Sequence, residues 1–173
     1  MKSIRLVLCL GLALAVSACA NPNRFGPGGP GGPGGPGGPG GAGVIGGVGD
    51  PRSPAYFQQT VGDRVLFAVD QSTLSPEARA TLTAQAGWLM QNLEYTAIIE
   101  GHADEQGTRE YNIALGDRRA SSVQEFLVSQ GVSPARLRTI SYGKERPIEI
   151  CSDEICYSRN RRAVTVVAAG LGV

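Results

Sequence analysis

A run of glycine and proline divides this chain and limits how much of it can fold. From Pro27 to Gly41 the sequence repeats Gly-Gly-Pro units, and residues 42–49 are again rich in glycine. Such a segment buries too little apolar surface to offset the conformational entropy that ordering it would cost. Glycine fills two positions of each triplet and the triplets are few, so a collagen-like triple helix is not expected. We therefore interpret residues 19–61 as a tether and residues 62–173 as the folded part.

The length of each part sets what it can do. The tether would reach roughly 35–40 Å as a flexible chain, and more than about 100 Å if it were extended as polyproline II. The remaining residues have the length of one ordinary domain. The formal net charge of the whole chain is +1, which leaves no basic excess to neutralise a phosphate backbone. We therefore expect no nucleic-acid partner.

The first residues have the pattern of a secretion signal. Lys2 and Arg5 supply positive charge, and residues 6–16 form an apolar run that is too short to span a bilayer with room to spare. Small residues then precede Cys19, and this pattern resembles the lipobox of bacterial lipoproteins. We predict that residues 1–18 are a signal peptide. The alternative is an ordinary secretory signal with an incidental cysteine.

The resemblance to a lipobox has consequences for location. It implies that Cys19 becomes the first residue of the mature chain and carries several acyl chains, which anchor far more firmly than one. The next residue is Ala20 rather than aspartate, and by the rule of that family this favours the outer membrane over the inner one. We therefore expect a lipid-anchored protein of the outer membrane whose folded part faces the periplasm.

The folded part alternates strand and helix patterns. Ser75 and Pro76 are typical of the start of a first helix, and Thr108 and Gly131 bracket a second one. The run 64–69 is almost continuously apolar, which suits a strand buried on both faces. Further strands are predicted at residues 95–100, 137–142 and 163–168. The pattern indicates a two-layer α/β domain of the α+β type, with element order βαβαββ and a mixed four-stranded sheet.

The second predicted helix separates two adjacent arginines. At 100° per residue, its core-facing stripe contains Gly116, Ala120, Val123 and Leu127. Asn112 lies at the edge of this stripe, and Arg119 lies about 20° from Asn112 on the helical wheel. Arg118 points well away from the core. We therefore predict that Arg118 faces solvent and that Arg119 needs a partner for its guanidinium group.

Asp104 follows the second strand, and two interpretations of it remain open. The turn can bring it close to the first turns of the helix, where it and Arg119 would face a common pocket beside backbone N–H groups. Alternatively, Asp104 and Arg119 pair with each other or with backbone groups. Asn112 can equally be a local cap for the turn.

One long motif carries a resemblance to a known family. "EGHADEQGTREYNIALGDRRA" (residues 100–120) resembles the core motif of the OmpA-like C-terminal domain family, and agreement continues in "ISYGKERP" (140–147) and "YSRNRRAV" (157–164). With the lipobox, the chain is most similar to the peptidoglycan-associated lipoproteins. Members bind peptidoglycan without a covalent bond, through the meso-diaminopimelate of the stem peptide. The partners that the resemblance implies are TolB and the Tol inner-membrane complex, which act in envelope constriction at cell division.

The resemblance also implies a set of binding residues. By motif position these are Asp104, Arg119, Asn112 and Leu115, together with Arg162 from the basic cluster Asn160, Arg161 and Arg162. Where the family often has Phe-Asp-Phe-Asp, this chain has Phe67-Ala68-Val69-Asp70, so only Asp70 remains available from that strand. Diaminopimelate carries an ammonium and a carboxylate on one carbon. An aspartate can accept from the ammonium while an arginine donates to the carboxylate.

The main alternative is an enzyme that acts on the cell wall. The chain has a single histidine, His102, and no zinc-binding motif of the HExxH type accompanies it. Neither a nucleophile elbow nor a carboxylate pair for glycoside hydrolysis is evident. We therefore expect a binding protein with no catalytic residue, no metal and no cofactor.

Two cysteines remain once Cys9 and Cys19 are assigned to the signal peptide and to the lipid. Cys151 and Cys156 are spaced C-x4-C in a segment that would face an oxidising compartment. We expect them to form a structural disulfide. The alternative is half of a zinc site, for which the sequence offers no second ligand pair.

Overall fold

The computed structural model describes residues 46–169. The predicted signal peptide, Cys19 and the Gly-Gly-Pro repeats lie outside the described residues. Within that range, no helix combines the length and the apolar character needed to cross a bilayer. The elements are α1 (Pro54–Tyr56), which continues into a π-helical turn (Phe57–Gly62), then β1 (Arg64–Leu66), α2 (Pro76–Gln91), β2 (Tyr95–His102), α3 (Arg109–Ser129), a 3-10 turn (Pro134–Arg136), β3 (Leu137–Gly143), α4 (Glu154–Asn160) and β4 (Arg162–Ala169).

The four strands form one mixed sheet in the order β1-β4-β2-β3. β4 is antiparallel to both β1 and β2, whereas β2 and β3 are parallel. The side chains of Ala97 and Ile99 on β2 are buried in one core with residues of α2 and α3. The predicted α+β fold with a mixed four-stranded sheet is confirmed.

Capping residues fix the two long helices where the sequence predicts them. The Ser75 hydroxyl accepts from the Ala78 N–H at 3.1 Å, and Pro76 occupies the first turn of α2. The Thr108 hydroxyl accepts from the Tyr111 N–H at 3.2 Å at the start of α3. Gly131, with φ of 103°, follows the C-cap of α3 in the left-handed conformation that favours glycine.

The first strand differs from its prediction. β1 covers only Arg64–Leu66 and lies at the edge of the sheet, where Val65 faces the core and the side chain of Leu66 is 51% exposed. The chain leaves the sheet after Leu66, and the Phe67 ring fills the core from the loop that follows. The apolar run 64–69 is therefore not a strand buried on both faces. An edge strand with one buried residue, Val65, followed by an exposed loop with one buried ring, Phe67, produces the same hydrophobic pattern.

The folded part also begins before the predicted boundary at residue 62. Ser53 caps α1 through a 3.0 Å bond from the Tyr56 N–H, and the buried Phe57 ring lies 4.9 Å from the Trp88 ring. The Trp88 indole N–H donates to the Pro51 carbonyl at 2.7 Å. Residues assigned to the tether thus cover one end of α2. The sequence signals for α1 are the Ser53 cap and the adjacent aromatic residues Tyr56 and Phe57, and the glycine-rich sequence before them obscures these signals.

Candidate functional site

A cleft of about 230 Å³ lies where the loop after β1, the turn after β2 and the start of α3 meet. Four of the residues predicted for the site line it: Asp70, Asp104, Asn112 and Leu115. Val69, Gln106, Gly107 and Tyr111 complete the lining. The structure therefore brings two carboxylates to one concave surface.

Asp104 is held in place at the bottom of the turn by two different groups. One of its oxygens, Oδ1, accepts from the Gln106 N–H at 3.2 Å, and Oδ2 accepts from Nη1 of Arg161 at 3.1 Å. Asn112 closes the same turn, because its side-chain amide donates to the Gln106 carbonyl at 2.8 Å. Asn112 thus acts as the local cap that the sequence left as an alternative.

Arg119 lies behind the cleft rather than in its lining. It is fully buried, and its guanidinium group donates to the carbonyls of Gln71 at 2.8 Å, His102 at 2.8 Å and Ala68 at 3.2 Å. Burial lowers the pKa of Arg119 to about 10, and the nearby charge of Asp104 opposes this shift. Of the two interpretations of Arg119, the structure shows the one in which the guanidinium bonds backbone groups.

Arg161 is the cation that contacts Asp104, and it is not among the residues predicted for the site. Its guanidinium joins three segments: Nε donates to the Phe67 carbonyl at 3.3 Å, Nη1 donates to Asp104, and both terminal nitrogens donate to the Glu154 carboxylate. The family motif named Arg161 and Arg162 as one basic cluster. Nothing in the sequence distinguished which of the two would reach the cleft.

Arg162 lies away from the cleft. It opens β4, and its guanidinium donates to the carbonyls of Asn160 at 3.3 Å and Arg146 at 3.1 Å. Neighbouring residues of an extended chain point to opposite sides, so the two adjacent arginines cannot share a target. The structure therefore separates Arg162 from the other predicted site residues.

Tyr111 is a second residue that the sequence did not single out. Its hydroxyl donates to the Asp70 carboxylate and so connects α3 to the loop after β1 across the mouth of the cleft. This hydrogen bond raises the pKa of Tyr111. Asp70 itself has φ of 55°, which is uncommon for a residue other than glycine. The backbone of the loop is thus turned so that the carboxylate meets α3.

His102 has the surroundings of a packing residue. Its ring is buried and stacks on Tyr142 at 5.5 Å between centroids, and neither ring nitrogen has a hydrogen-bond partner within residues 46–169. Burial lowers the pKa of His102 to about 4, and the positive charges of Arg162 and Arg146 add to that shift. The imidazole is therefore neutral at physiological pH.

The one cluster of possible metal ligands found among the described residues contains Cys151, Asp153 and Cys156. In the structure the two cysteines are joined by a disulfide, with their Cα atoms 5.8 Å apart. A disulfide sulfur is not a thiolate, so the two side chains do not offer the ligands that a zinc ion needs.

Comparisons with known proteins identify the family to which this chain is similar. The family model described as "OmpA family" matches residues 66–161. The peptidoglycan-associated lipoprotein of Mesorhizobium japonicum is 53% identical over 118 residues, which cover 68% of this chain and 70% of that protein. That of Agrobacterium fabrum is 46% identical over 165 residues, covering 93% and 86% respectively. The crystal structure of the peptidoglycan-associated lipoprotein from Burkholderia pseudomallei matches with a TM-score of 0.62 and 35% identity, over 70% of this chain and 98% of that one.

Proposed function

We propose, on the premise that this chain belongs to the OmpA family, that it anchors the outer membrane to the cell wall by binding peptidoglycan without a covalent bond. The observation that carries the proposal is the cleft in which Asp70 and Asp104 meet at the start of α3. Relatives that are 53% and 46% identical to this chain over the aligned residues are named for their association with peptidoglycan. A cleft of this size takes one side chain of a polymer rather than a whole glycan strand.

The ligand group that fits this cleft is the zwitterionic end of meso-diaminopimelate. Asp104 and Asp70 line the cleft and can accept from an ammonium group. The ligand carboxylate would lie towards the N-terminus of α3, where the helix dipole and the charge of the buried Arg119 favour an anion. Each charged hydrogen bond contributes about 1.5–3 kcal/mol, and less where water has access. Many such anchors on one polymeric wall would compensate for weak single sites through avidity.

The setting of this activity follows from the family resemblance and the lipobox. We place the lipid on Cys19 in the outer membrane, with the folded part in the periplasm. TolB and the Tol inner-membrane complex are the proposed protein partners, and cell division and envelope integrity are the proposed processes. Subcellular fractionation and co-purification with TolB would test these assignments separately from wall binding.

Co-sedimentation with purified sacculi tests the binding site. We expect the wild type to sediment and free meso-diaminopimelate to release it. Asp104→Asn keeps the shape of the side chain and removes its charge, so we expect binding to fall by about tenfold or more. Asp117→Asn, on the exposed face of α3, makes the same charge change outside the cleft and should bind as the wild type does.

Circular dichroism must accompany this comparison, because Asp104→Asn removes one of the two carboxylates that the buried Arg161 guanidinium contacts, and weakening a buried ion pair can destabilise the fold. A folded Asp104→Asn variant that sediments like the wild type would show that the cleft is not the binding site. Zymography on gels containing sacculi distinguishes a binding protein from a hydrolase. A cleared band would contradict the assignment as a binding protein.

A further inference from the structure

The segment before β4 is a small unit that is fixed at both ends. The disulfide between Cys151 and Cys156 closes a loop, which we call the disulfide loop (residues 151–156), around the start of α4. Asp153 caps this helix by accepting from the Cys156 N–H at 3.1 Å. At the other end of α4, the buried Asn160 side chain bonds the backbone of the segment that precedes the loop, through Ile148 and Glu149. A seven-residue helix would be marginal without such constraints.

The disulfide loop contacts the cleft through two separate links. The Glu154 carboxylate accepts from both terminal nitrogens of Arg161, and Nη1 of Arg161 also donates to Asp104. The Ser152 hydroxyl lies 3.4 Å from the carboxylate of Glu105, the residue that follows Asp104 in the turn. A change in the position of the loop would therefore reach the side chain of Asp104 through one intervening residue.

Glu154 also limits how many hydrogen bonds the Arg161 guanidinium makes to Asp104. A guanidinium group beside a single carboxylate commonly bonds both of its oxygens in a fork, which would occupy Asp104 completely. Here Nη2 of Arg161 is held by Glu154, and Arg161 reaches only Oδ2 of Asp104. Two acids share one cation, so the guanidinium does not close a fork on Asp104, and Oδ1 keeps the accepting capacity that the Gln106 N–H leaves unused.

We propose that Glu154, fixed by the Cys151–Cys156 disulfide, is a positioning residue for the cleft: it holds Arg161 so that Asp104 stays available to an ammonium group of the ligand, an assignment that rests on the proposed function. Arg161 lowers the pKa of Glu154 through their hydrogen bond, so the carboxylate stays charged well below neutral pH. The disulfide loop then acts on affinity for the ligand without touching it.

Titration of the full chain in detergent with a soluble muropeptide that contains meso-diaminopimelate tests this role. Because Glu154 is largely exposed, we expect Glu154→Gln to weaken binding by about three- to fivefold. Glu154→Asp restores a carboxylate and should recover most of the affinity. Glu149→Gln is the matched control, because that carboxylate belongs to the same segment but pairs with Arg159 at 2.7 Å; it should bind as the wild type does.

Two further readouts separate positioning from general stability. The difference between the wild type and Glu154→Gln should shrink in 1 M salt, where the Debye length is about 3 Å and an exposed ion pair is screened. Replacing both Cys151 and Cys156 by serine should weaken binding in the same direction. Adding Glu154→Gln to that variant should then have less effect than it has in the wild type, because both changes release the same arginine.

The outcomes distinguish this inference from the proposed function. If the wild type binds the muropeptide and Glu154→Gln binds equally well, or if Glu149→Gln loses as much affinity as Glu154→Gln, the positioning role is wrong and the binding function stands. If the wild type does not bind the muropeptide, the proposed function is wrong, and so is the positioning role, because it rests on that function. Circular dichroism confirms that each variant compared is folded.

Discussion

Arg118 and Arg119 are neighbours in the sequence, and their surroundings are opposite. Arg118 is exposed on α3, whereas Arg119 is fully buried and donates to three backbone carbonyls. Arg119→Ala removes a donor from three carbonyls, of which the bond to His102 is buried, and an unpaired buried group costs about 1–3 kcal/mol. It also leaves a cavity where a fully buried side chain lay, which adds to the loss. We therefore expect Arg119→Ala to lower the free energy of unfolding by about 3 kcal/mol or more, measured by urea denaturation.

Arg118→Ala provides the control for that measurement, because it makes the same truncation one position earlier. It should change the free energy of unfolding by less than about 0.5 kcal/mol. Equal effects of the two replacements would contradict the assignment of Arg119 as a structural support of the cleft. A sacculus assay on Arg119→Ala alone would not separate lost binding from lost folding.

The buried His102 should make stability depend on pH. Its folded-state pKa is about 4, below the ordinary value of 6.5, so between these values the unfolded chain binds a proton that the folded chain does not. The free energy of unfolding therefore falls as pH decreases from about 6.5 to about 4. The contribution of this group to that loss is roughly 3 kcal/mol when complete.

His102→Gln removes this titration and should give a flatter dependence of unfolding free energy on pH across the same window. Carboxylates whose folded-state pKa is lowered, such as Glu154 beside Arg161, contribute a separate loss at low pH, and they are common to both proteins. The difference between the two slopes isolates the histidine. Parallel slopes for the wild type and the variant would show that His102 does not titrate as its burial implies.

Residue-level prediction from the sequence succeeded where the helix itself supplied the geometry. The 3.6-residue period of α3 placed Arg119 at the core and Arg118 in solvent, and the structure agrees. It did not identify the partner of Asp104, because Arg161 is distant in the sequence and reaches the turn only through the sheet. Pairing across that distance depends on the tertiary structure, which the periodic pattern of residues along one helix does not reveal.

Helix α3 and strand β2 approach each other more closely than side chains would allow. A Cβ added to Gly101 would lie 1.8 Å from the carbonyl oxygen of Gly116, and this oxygen belongs to the backbone of α3. The clash cannot be relieved by a rotamer change, so Gly101→Ala must separate the helix from the sheet. We expect a loss of about 3 kcal/mol or more in unfolding free energy, measured by thermal or urea denaturation.

Gly87→Ala is the matched control for this substitution. Gly87 lies within α2, and a Cβ there would meet no atom within 4 Å. The replacement should stabilise the protein by up to about 1 kcal/mol, because alanine loses less backbone entropy in a helix. A tolerated Gly101→Ala would mean that the spacing between α3 and β2 is not fixed by this glycine contact.

The elements that the sequence predicted well are those whose signals are local. α2 and α3 have caps and a sustained apolar stripe, and they begin where Ser75 and Thr108 indicate. The predicted order βαβαββ has no helix between its last two strands, so α4 was missed, because a short helix depends on the disulfide and on the Asn160 side chain. β1 was predicted too long because an apolar run does not reveal whether its residues continue a strand or turn into the core.

At the scale of the whole molecule, the proposed function uses two attachments at opposite ends of a tether. Lipid on Cys19 would hold the membrane, and the cleft would hold the wall. Cys19→Ser should therefore release the protein from the membrane fraction while its co-sedimentation with sacculi persists. Asp104→Asn should remain in the membrane fraction and lose its co-sedimentation with sacculi. Mass spectrometry of the mature wild type should find acyl groups on Cys19. An unmodified chain that begins at another residue would contradict this arrangement.

The order of strands in the sheet has a consequence for when this protein can fold. β4 is the last of the four strands along the chain, yet it lies between β1 and β2 and is the partner that joins them. A chain is synthesised from its N-terminus, so β1 has no partner in this sheet until almost all of the sequence has emerged. Closing so long a loop is slow compared with local helix formation. A newly made chain of this topology therefore has an incomplete sheet, in which β1 is unpaired, until the last strand has emerged.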